Sequence, residues 1–565
     1  MLCCSSITRA FRYLLAMLVA IALAGCATFS PSAYLPGNHS GLSPQDALMK
    51  AQWWEARAPH LTDDGMRSDA WMNCAVLAHD AMTSIKTADE TTAATLATHC
   101  SHAYIDDMRQ GATLNVRPGR MLLGGRVVEV QFRGIPDSLG THLHLEPADH
   151  LSMDMLDGVR YRQPGFGVPV VAAAPPCTDR PVCALYPPEG IFRPATVWLE
   201  GTSGKGHADE GPVLVVQGTA AQPVHTVGTS DYRLAEDLSA PYEQLLERTK
   251  LRRLGWWGLI GGQAVGRRAG LFLLDDFDPT KTPVIMIHGL GSSPLIWAPL
   301  SNAIAGDPEL HRRYQVWHIV YQTNAPLLIE RHRVQTYLDT AWQILDPNGH
   351  TPARHGGVLI GHSMGGVIAR LLCAQSTPAL WTAAFTEPYE NLHGSADDLA
   401  LLKAIFEFKP YPGIDEAIFM AAPQHGSPVA GYWLGRLAQD LAWRHILELA
   451  GLVRIVDENP KAIQSSLLDN YRIAHLSSVT SLMPNEPVSM VDETLMPVAG
   501  VRYDTIAGSL PGQDPPGDGD VPLSSALLPG SASTLIVHVG HHSIPRNPEV
   551  IAAVLAILRQ HDTTH

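Results

Sequence analysis

Positive charge is scarce in this chain. Lys and Arg number 40 against 55 Asp and Glu over 565 residues, a formal net charge of −15. A nucleic-acid binder needs a basic footprint, so the balance argues against that class. No Cys-x-x-Cys spacing marks a zinc site. No internal repeat is visible, which sets aside solenoids and arrays. Charged residues make up only 17% against 45% hydrophobic, a globular composition with ample material for a core. The length suggests about two to four domains.

The one conspicuous apolar run, Leu14 to Ala24, is too short to span a bilayer as a mature helix. It follows Arg9 and Arg12 and ends Leu23-Ala24-Gly25-Cys26. Residues 1–25 therefore read as a secretory signal. The ending resembles a bacterial lipobox, which implies that Cys26 is lipidated and becomes the mature N-terminus. By the same resemblance, Ala27 directs the chain to the outer membrane of a Gram-negative cell envelope. Residues 26–43 are rich in Ser, Pro and Gly and read as a tether.

Export recasts the remaining cysteines. In an oxidising compartment Cys177 and Cys183, close together in a Pro-rich stretch, are expected to pair. Cys74 and Cys100 lie on neighbouring helical segments and are expected to staple them. Cys373, in an apolar helix, reads as a buried free thiol.

Residues 44–110 favour helix. Ser43-Pro44 provides a cap and a first-turn proline, and breaks are expected at Asp63-Asp64-Gly65 and around Thr87 to Thr92. Residues 111–236 alternate short β-branched runs with Gly and Pro and read as an antiparallel β module. Its His142, His144 and His150 read as solvated or satisfied polar groups rather than ligands. From residue 237 to 565 the grammar changes after a helical linker. Val284 to Ile287, Val316 to Val320, Val358 to Ile360, Ala417 to Met420, Tyr503 to Ile506 and Leu535 to Val539 are apolar runs separated by helical segments. Such runs form a doubly wound parallel sheet covered on both faces.

The chemistry-bearing stretch is Gly361-His362-Ser363-Met364-Gly365, between the run Gly357 to Ile360 and a helical segment. Strand, Gly-x-Ser-x-Gly and helix together make a nucleophile elbow, whose sharp turn needs small residues around the serine. Ser363 is the expected nucleophile. Upstream, Val284 to Ile287 leads into His288-Gly289-Leu290-Gly291. The backbone N–H groups of Leu290 and Met364 are the expected oxyanion donors. A serine hydroxyl needs a base, and the base an orienting acid, in the chain order Ser, acid, His. Gly517-Asp518-Gly519-Asp520-Val521-Pro522 and His538-Val539-Gly540-His541-His542 supply both. Asp518 and Asp520 also fit a solvated or calcium-binding turn. The three histidines also fit a metal cluster, but a distant partner of convincing spacing is missing, so no metal or cofactor is expected.

These segments, with Ala422-Pro423-Gln424-His425-Gly426-Ser427-Pro428 and His541-His542-Ser543, resemble bacterial lipase-like α/β hydrolases. That group is related to lipases of the GPI inositol-deacylase and lecithin-cholesterol acyltransferase kinds. The resemblance covers about residues 283–560. It implies an α/β-hydrolase fold, Asp518 as the acid and His542, the histidine before Ser543, as the base. His541 stands where that group has glycine, so the histidine choice stays open. The implied activity is ester hydrolysis, as a lipase, phospholipase A or carboxylesterase acting on a lipid or other ester. Acyl transfer and a non-catalytic surface lipoprotein are the alternatives. The long stretches 376–412 and 427–500 are expected to form a cap. Trp433, Leu434, Leu437 and Leu441, then Leu447, Leu449 and Leu452, lie at helical spacing and suit core, lid or acyl pocket.

Overall fold

The computed structural model describes residues 42–82, 87–109, 113–201, 211–219, 223–249, 268–427, 447–472 and 487–561. The signal segment, Cys26, and the stripe Trp433, Leu434, Leu437 and Leu441 lie outside these residues. No helix among the described residues is long and apolar enough to cross a membrane.

Three helices open the fold: α1 (Pro44–Arg57), α2 (Asp64–Ala81) and α3 (Thr87–Met108). Ser43 Oγ caps α1 by accepting from Asp46 N at 3.2 Å. The expected break at Asp63 is the start of α2, where Asp63 Oδ1 accepts from Met66 N at 2.8 Å. The expected break at Thr87 to Thr92 is helix instead. Ala88, Glu90, Ala93 and Ala94 favour it, and Thr95 returns its hydroxyl to Thr91 O at 2.8 Å. A disulfide joins Cys74 on α2 to Cys100 on α3.

The first sheet contains β1 (Leu114–Val116), β2 (Gly119–Leu123), β3 (Arg126–Arg133), β4 (Leu143–Pro147), β5 (Val168–Ala174), β6 (Ile191–Glu200) and β7 (Val213–Gly218). Its strand order is β1-β4-β5-β6-β7-β3-β2. One pair departs from the antiparallel expectation: β3 and β7 run parallel, with Glu129 opposite Val213. The chain leaves β3 to build β4, β5 and β6 before returning, and so long a connection allows the parallel approach. Val170 and Ala172 of β5 face the helical side. Val171 and Ala173 face Ala240 and Leu246 of α4 (Ala240–Arg248). A second disulfide, Cys177 to Cys183, closes the loop between β5 and β6.

The second sheet holds β8 (Gly270–Leu273), β9 (Thr282–Ile287), β10 (Tyr314–Val320), β11 (Gly357–His362), β12 (Ile414–Met420), β13 (Arg502–Gly508) and β14 (Thr534–Val537). The order is β8-β10-β9-β11-β12-β13-β14, with every neighbour parallel except β8 against β10. The antiparallel edge strand β8 has no counterpart in the sequence reading. Ile285 and Ile287 of β9 pack on one face of the sheet, Val284 and Met286 on the other. Both faces are covered, by α5 (Ala298–Gly306), α6 (Leu327–Leu345), α7 (Met364–Leu372) and α8 (Pro548–Gln560). This is the α/β-hydrolase arrangement, doubly wound around β9. The chain turns back at β9, so the C-terminal ends of β9 and β11 open a crevice where such sheets bind ligands. The two sheets are joined through Asp276, which takes Arg193 Nη2 at 3.0 Å and the Tyr186 hydroxyl at 2.7 Å.

Candidate active site

Ser363 sits between β11 and α7 with φ 55° and ψ −129°. A serine in this region is strained, and the flanking contacts hold it there. Gly365 is pressed against β9: a Cβ there would lie 2.2 Å from Ile287 O. Gly289 approaches from the other side, and a Cβ on it would meet Ser363 Cβ at 2.7 Å. Glycine is therefore dictated at both positions by space. The Gly289 approach brings the turn that carries Leu290 against the nucleophile, while Met364 opens α7 behind it. Both expected oxyanion residues thus flank Ser363.

The Leu290 turn is anchored beneath. Gly291 N donates to Thr323 Oγ1 at 3.1 Å, and the Tyr321 hydroxyl donates to His288 O at 2.7 Å. The His288 ring stacks on Tyr321, and burial pulls its pKa down to about 4, so it stays neutral. Tyr321 and Thr323 escaped the sequence reading; they follow β10 with no motif to mark them.

Asp518 is 2% exposed. Its Oδ1 accepts from Asp520 N at 3.0 Å and Val521 N at 2.7 Å, which locks the loop. Its Oδ2 lies 2.8 Å from His541 Nδ1. A further bond, His541 N to Asp518 O at 3.1 Å, ties the two loops together. The structure does not place His542, the expected base, beside Asp518. His542 is 65% exposed at its side chain and its Nε2 lies 3.5 Å from Asp520. His541 is buried beside Asp518. Gly540 is followed by a short helical turn, His541–Arg546, that turns the first histidine inward and the second out. The signal was present in the sequence: Gly540-His541 is itself a Gly-His pair after the last strand.

His541 contacts the residue that precedes Ser363. The His362 ring, one residue before Ser363, lies 4.7 Å from the His541 ring, and His362 Nε2 is 3.0 Å from His541 O. Burial holds His362 well below its ordinary pKa, so it is neutral and donates to that carbonyl. His538 stands apart, exposed, with Nδ1 on Ser509 O at 3.0 Å. The three histidines therefore do not converge on one point.

Buried Arg370 of α7 knits the surroundings. It donates to Gln424 Oε1 at 2.6 Å and to the carbonyls of Asp492 and Leu495 at 2.7 and 2.5 Å. Gln424 N in turn donates to Ser525 O, just past the Asp518 loop, at 3.0 Å. Above the sheet, helices Ala396–Phe406 and Leu447–Glu458 face the start of α6 across an apolar pocket. Leu328, Leu402, Ile405, Leu452 and Ile455 line it. Leu449 is buried among these helices; residues 428–446 and 473–486 of the stretches expected as a cap lie outside the described residues.

No family model and no curated protein matches the chain. Among solved structures it is similar to the mature form of a Bacillus licheniformis lipase, at 16% identity over 51% of this chain and 97% of that one, with a TM-score of 0.31. It is also similar to esterase B from Lactobacillus rhamnosis, at 17% identity over 52% and 79%, TM-score 0.29. A 2,6-dihydroxy-pseudo-oxynicotine hydrolase aligns over 94% and 93% at 11% identity and TM-score 0.23. At such values the fold rests on the strand order and not on these likenesses.

Proposed function

We propose that the protein is a serine hydrolase of carboxylic esters, working through an acyl-enzyme. The observation that carries this is the buried Asp518–His541 pair at 2.8 Å, set beside the strained Ser363 elbow. Asp518 accepts a hydrogen bond from the Nδ1–H of His541, which leaves Nε2 bare to take the Ser363 proton. Ser363 Oγ then attacks the acyl carbonyl. The N–H groups of Leu290 and Met364 receive the developing oxyanion at the N-terminus of α7. His541 returns its proton to the leaving alcohol, and water enters by the same route to release the acid. The elbow and the acid–histidine pair are in keeping with a lipase, phospholipase A or carboxylesterase. The lipobox-like ending at Cys26 supports a lipid-anchored place in the cell envelope, facing lipid substrates.

Fluorophosphonate labelling of the purified protein tests the chemistry. The label should map to Ser363, and Ser363→Ala should lose both labelling and p-nitrophenyl ester hydrolysis while keeping its melting temperature. Hydrolysis near wild type in folded Ser363→Ala would overturn the proposal.

A further inference from the structure

A second cluster of ligating side chains lies in the N-terminal module, in a region from which the sequence reading drew no chemistry. His79 comes from the end of α2, Glu200 from the end of β6, and His225 from a short strand, Val224–Val227. The three are distant in sequence, yet their ligating atoms all lie within 4.8 Å of one another. His79 and His225 are each 8% exposed. Their Nε2 atoms face each other at 3.0 Å, and Glu200 Oε2 lies 3.9 Å from His79 Nε2. Two imidazole nitrogens on one tetrahedral ion stand about 3.3 Å apart, given Zn–N bonds of about 2.0–2.1 Å. The spacing is close to that of two ligands sharing an ion.

The surroundings hold the donors in place. His225 stacks on Phe166 at 5.3 Å and lies 4.5 Å from the Trp198 ring. Glu200 is oriented by Arg133, whose Nη2 donates to Oε1 at 2.6 Å, and by Trp198 Nε1, which donates to Oε2 at 2.9 Å. Carboxylate ligands are steadied by such outer partners.

We propose that His79, His225 and Glu200 bind one divalent transition-metal ion of the zinc class, which ties the helical unit to the first sheet. Two imidazoles and one carboxylate are a donor set that zinc accepts, with the fourth position left to water. The site is independent of the Ser363 chemistry, so ester hydrolysis does not report on it.

The test uses the purified full chain, dialysed against chelator and titrated with Co²⁺ and then Zn²⁺. The expected result is one Co²⁺ per chain with the visible absorption of a four-coordinate ion, displaced by Zn²⁺, and a melting temperature raised by Zn²⁺. His79→Ala and His225→Ala should each weaken Co²⁺ binding more than about 100-fold, beyond what loss of an outer partner costs. A double variant of the exposed residues His142 and His144 should bind as wild type. X-ray absorption of the zinc-loaded wild-type chain needs no variant and should show imidazole scattering from two histidines. Absence of stoichiometric binding in the wild type, or wild-type binding by folded His225→Ala, would overturn the site. So would an absorption spectrum without imidazole.

Discussion

His541 Nδ1 lies 2.8 Å from Asp518 Oδ2, while the neighbouring His542 is turned outward toward Asp520 at 3.5 Å. Two pairs of adjacent candidates are thereby separated into a buried couple and an exposed one. Loss of an orienting carboxylate costs on the order of 10⁴ in kcat in serine hydrolases. His541→Ala and Asp518→Asn should therefore be nearly inactive. His542→Ala and Asp520→Asn should stay within about tenfold of wild type, since an exposed pair contributes little. Measuring kcat/KM for all four folded variants on one short-chain ester decides it. Full activity in His541→Ala would return the base to His542.

The histidine shows what the sequence could and could not convey. The positions of the Ser363 elbow, the Leu290 turn and the Asp518 loop in the fold were legible because each depends on a local pattern, a glycine-bounded turn after an apolar strand. The choice between His541 and His542 depends on which way a short helical turn rotates, and both residues fit a Gly-His or His-Ser pattern. The parallel pairing of β3 with β7 was likewise hidden, since it is fixed by a long-range connection and not by periodicity. The edge strand β8 is only four residues, Gly270–Leu273, and follows a Gly-rich stretch that reads as loop. The cluster around His79 was invisible because its members are 146 residues apart at the extremes.

Both expected disulfides are formed, and their loops differ in length. Cys74–Cys100 spans 26 residues and Cys177–Cys183 spans 6. Constraint of the unfolded chain grows with loop length, giving about 3.5 kcal/mol for the first and about 2 kcal/mol for the second. The Cys74→Ala/Cys100→Ala variant should thus lose more stability in urea than Cys177→Ala/Cys183→Ala. Neither pair touches Ser363, so ester hydrolysis at 25 °C should be unchanged in both. A larger loss from the short loop would show that native contacts, not chain entropy, set the order.

Membrane attachment is expected to rest on Cys26, through the lipid that a lipobox cysteine acquires. More than one acyl chain gives stable anchoring. Cys26→Ser should move the protein from the membrane fraction to the soluble one, with its ester hydrolysis intact. Retention of the variant in membranes after a high-salt wash would assign the anchor to another part of the chain.

Arg370 makes a last, separable prediction about how the site is held. Its guanidinium is fully buried, and the low-polarity surroundings lower its pKa while Asp492, at 3.3 Å, opposes that and keeps it charged. It meets acceptors from two directions: Gln424, which is linked to Ser525 beyond the acid loop, and the chain around Asp492 and Leu495. A planar fork with five donors suits that set, whereas a lysine ammonium is a point charge with three. Removing one member of a buried pair costs about 3–5 kcal/mol because the partner is left uncompensated. Arg370→Met should therefore lose stability of that order, with the buried Asp492 carboxylate deprived of its guanidinium. Arg370→Met/Asp492→Leu should recover part of it, since replacing both members by apolar groups removes the stranded charge. Because Arg370 lies on the helix that follows Ser363, the double variant should still hydrolyse esters with a reduced kcat, the acid loop no longer being braced against α7. Urea unfolding of the three proteins, with kcat measured on each folded form, separates the two effects. A double variant no more stable than Arg370→Met would show that the cost lies in the orphaned Gln424 and backbone carbonyls and not in the ion pair.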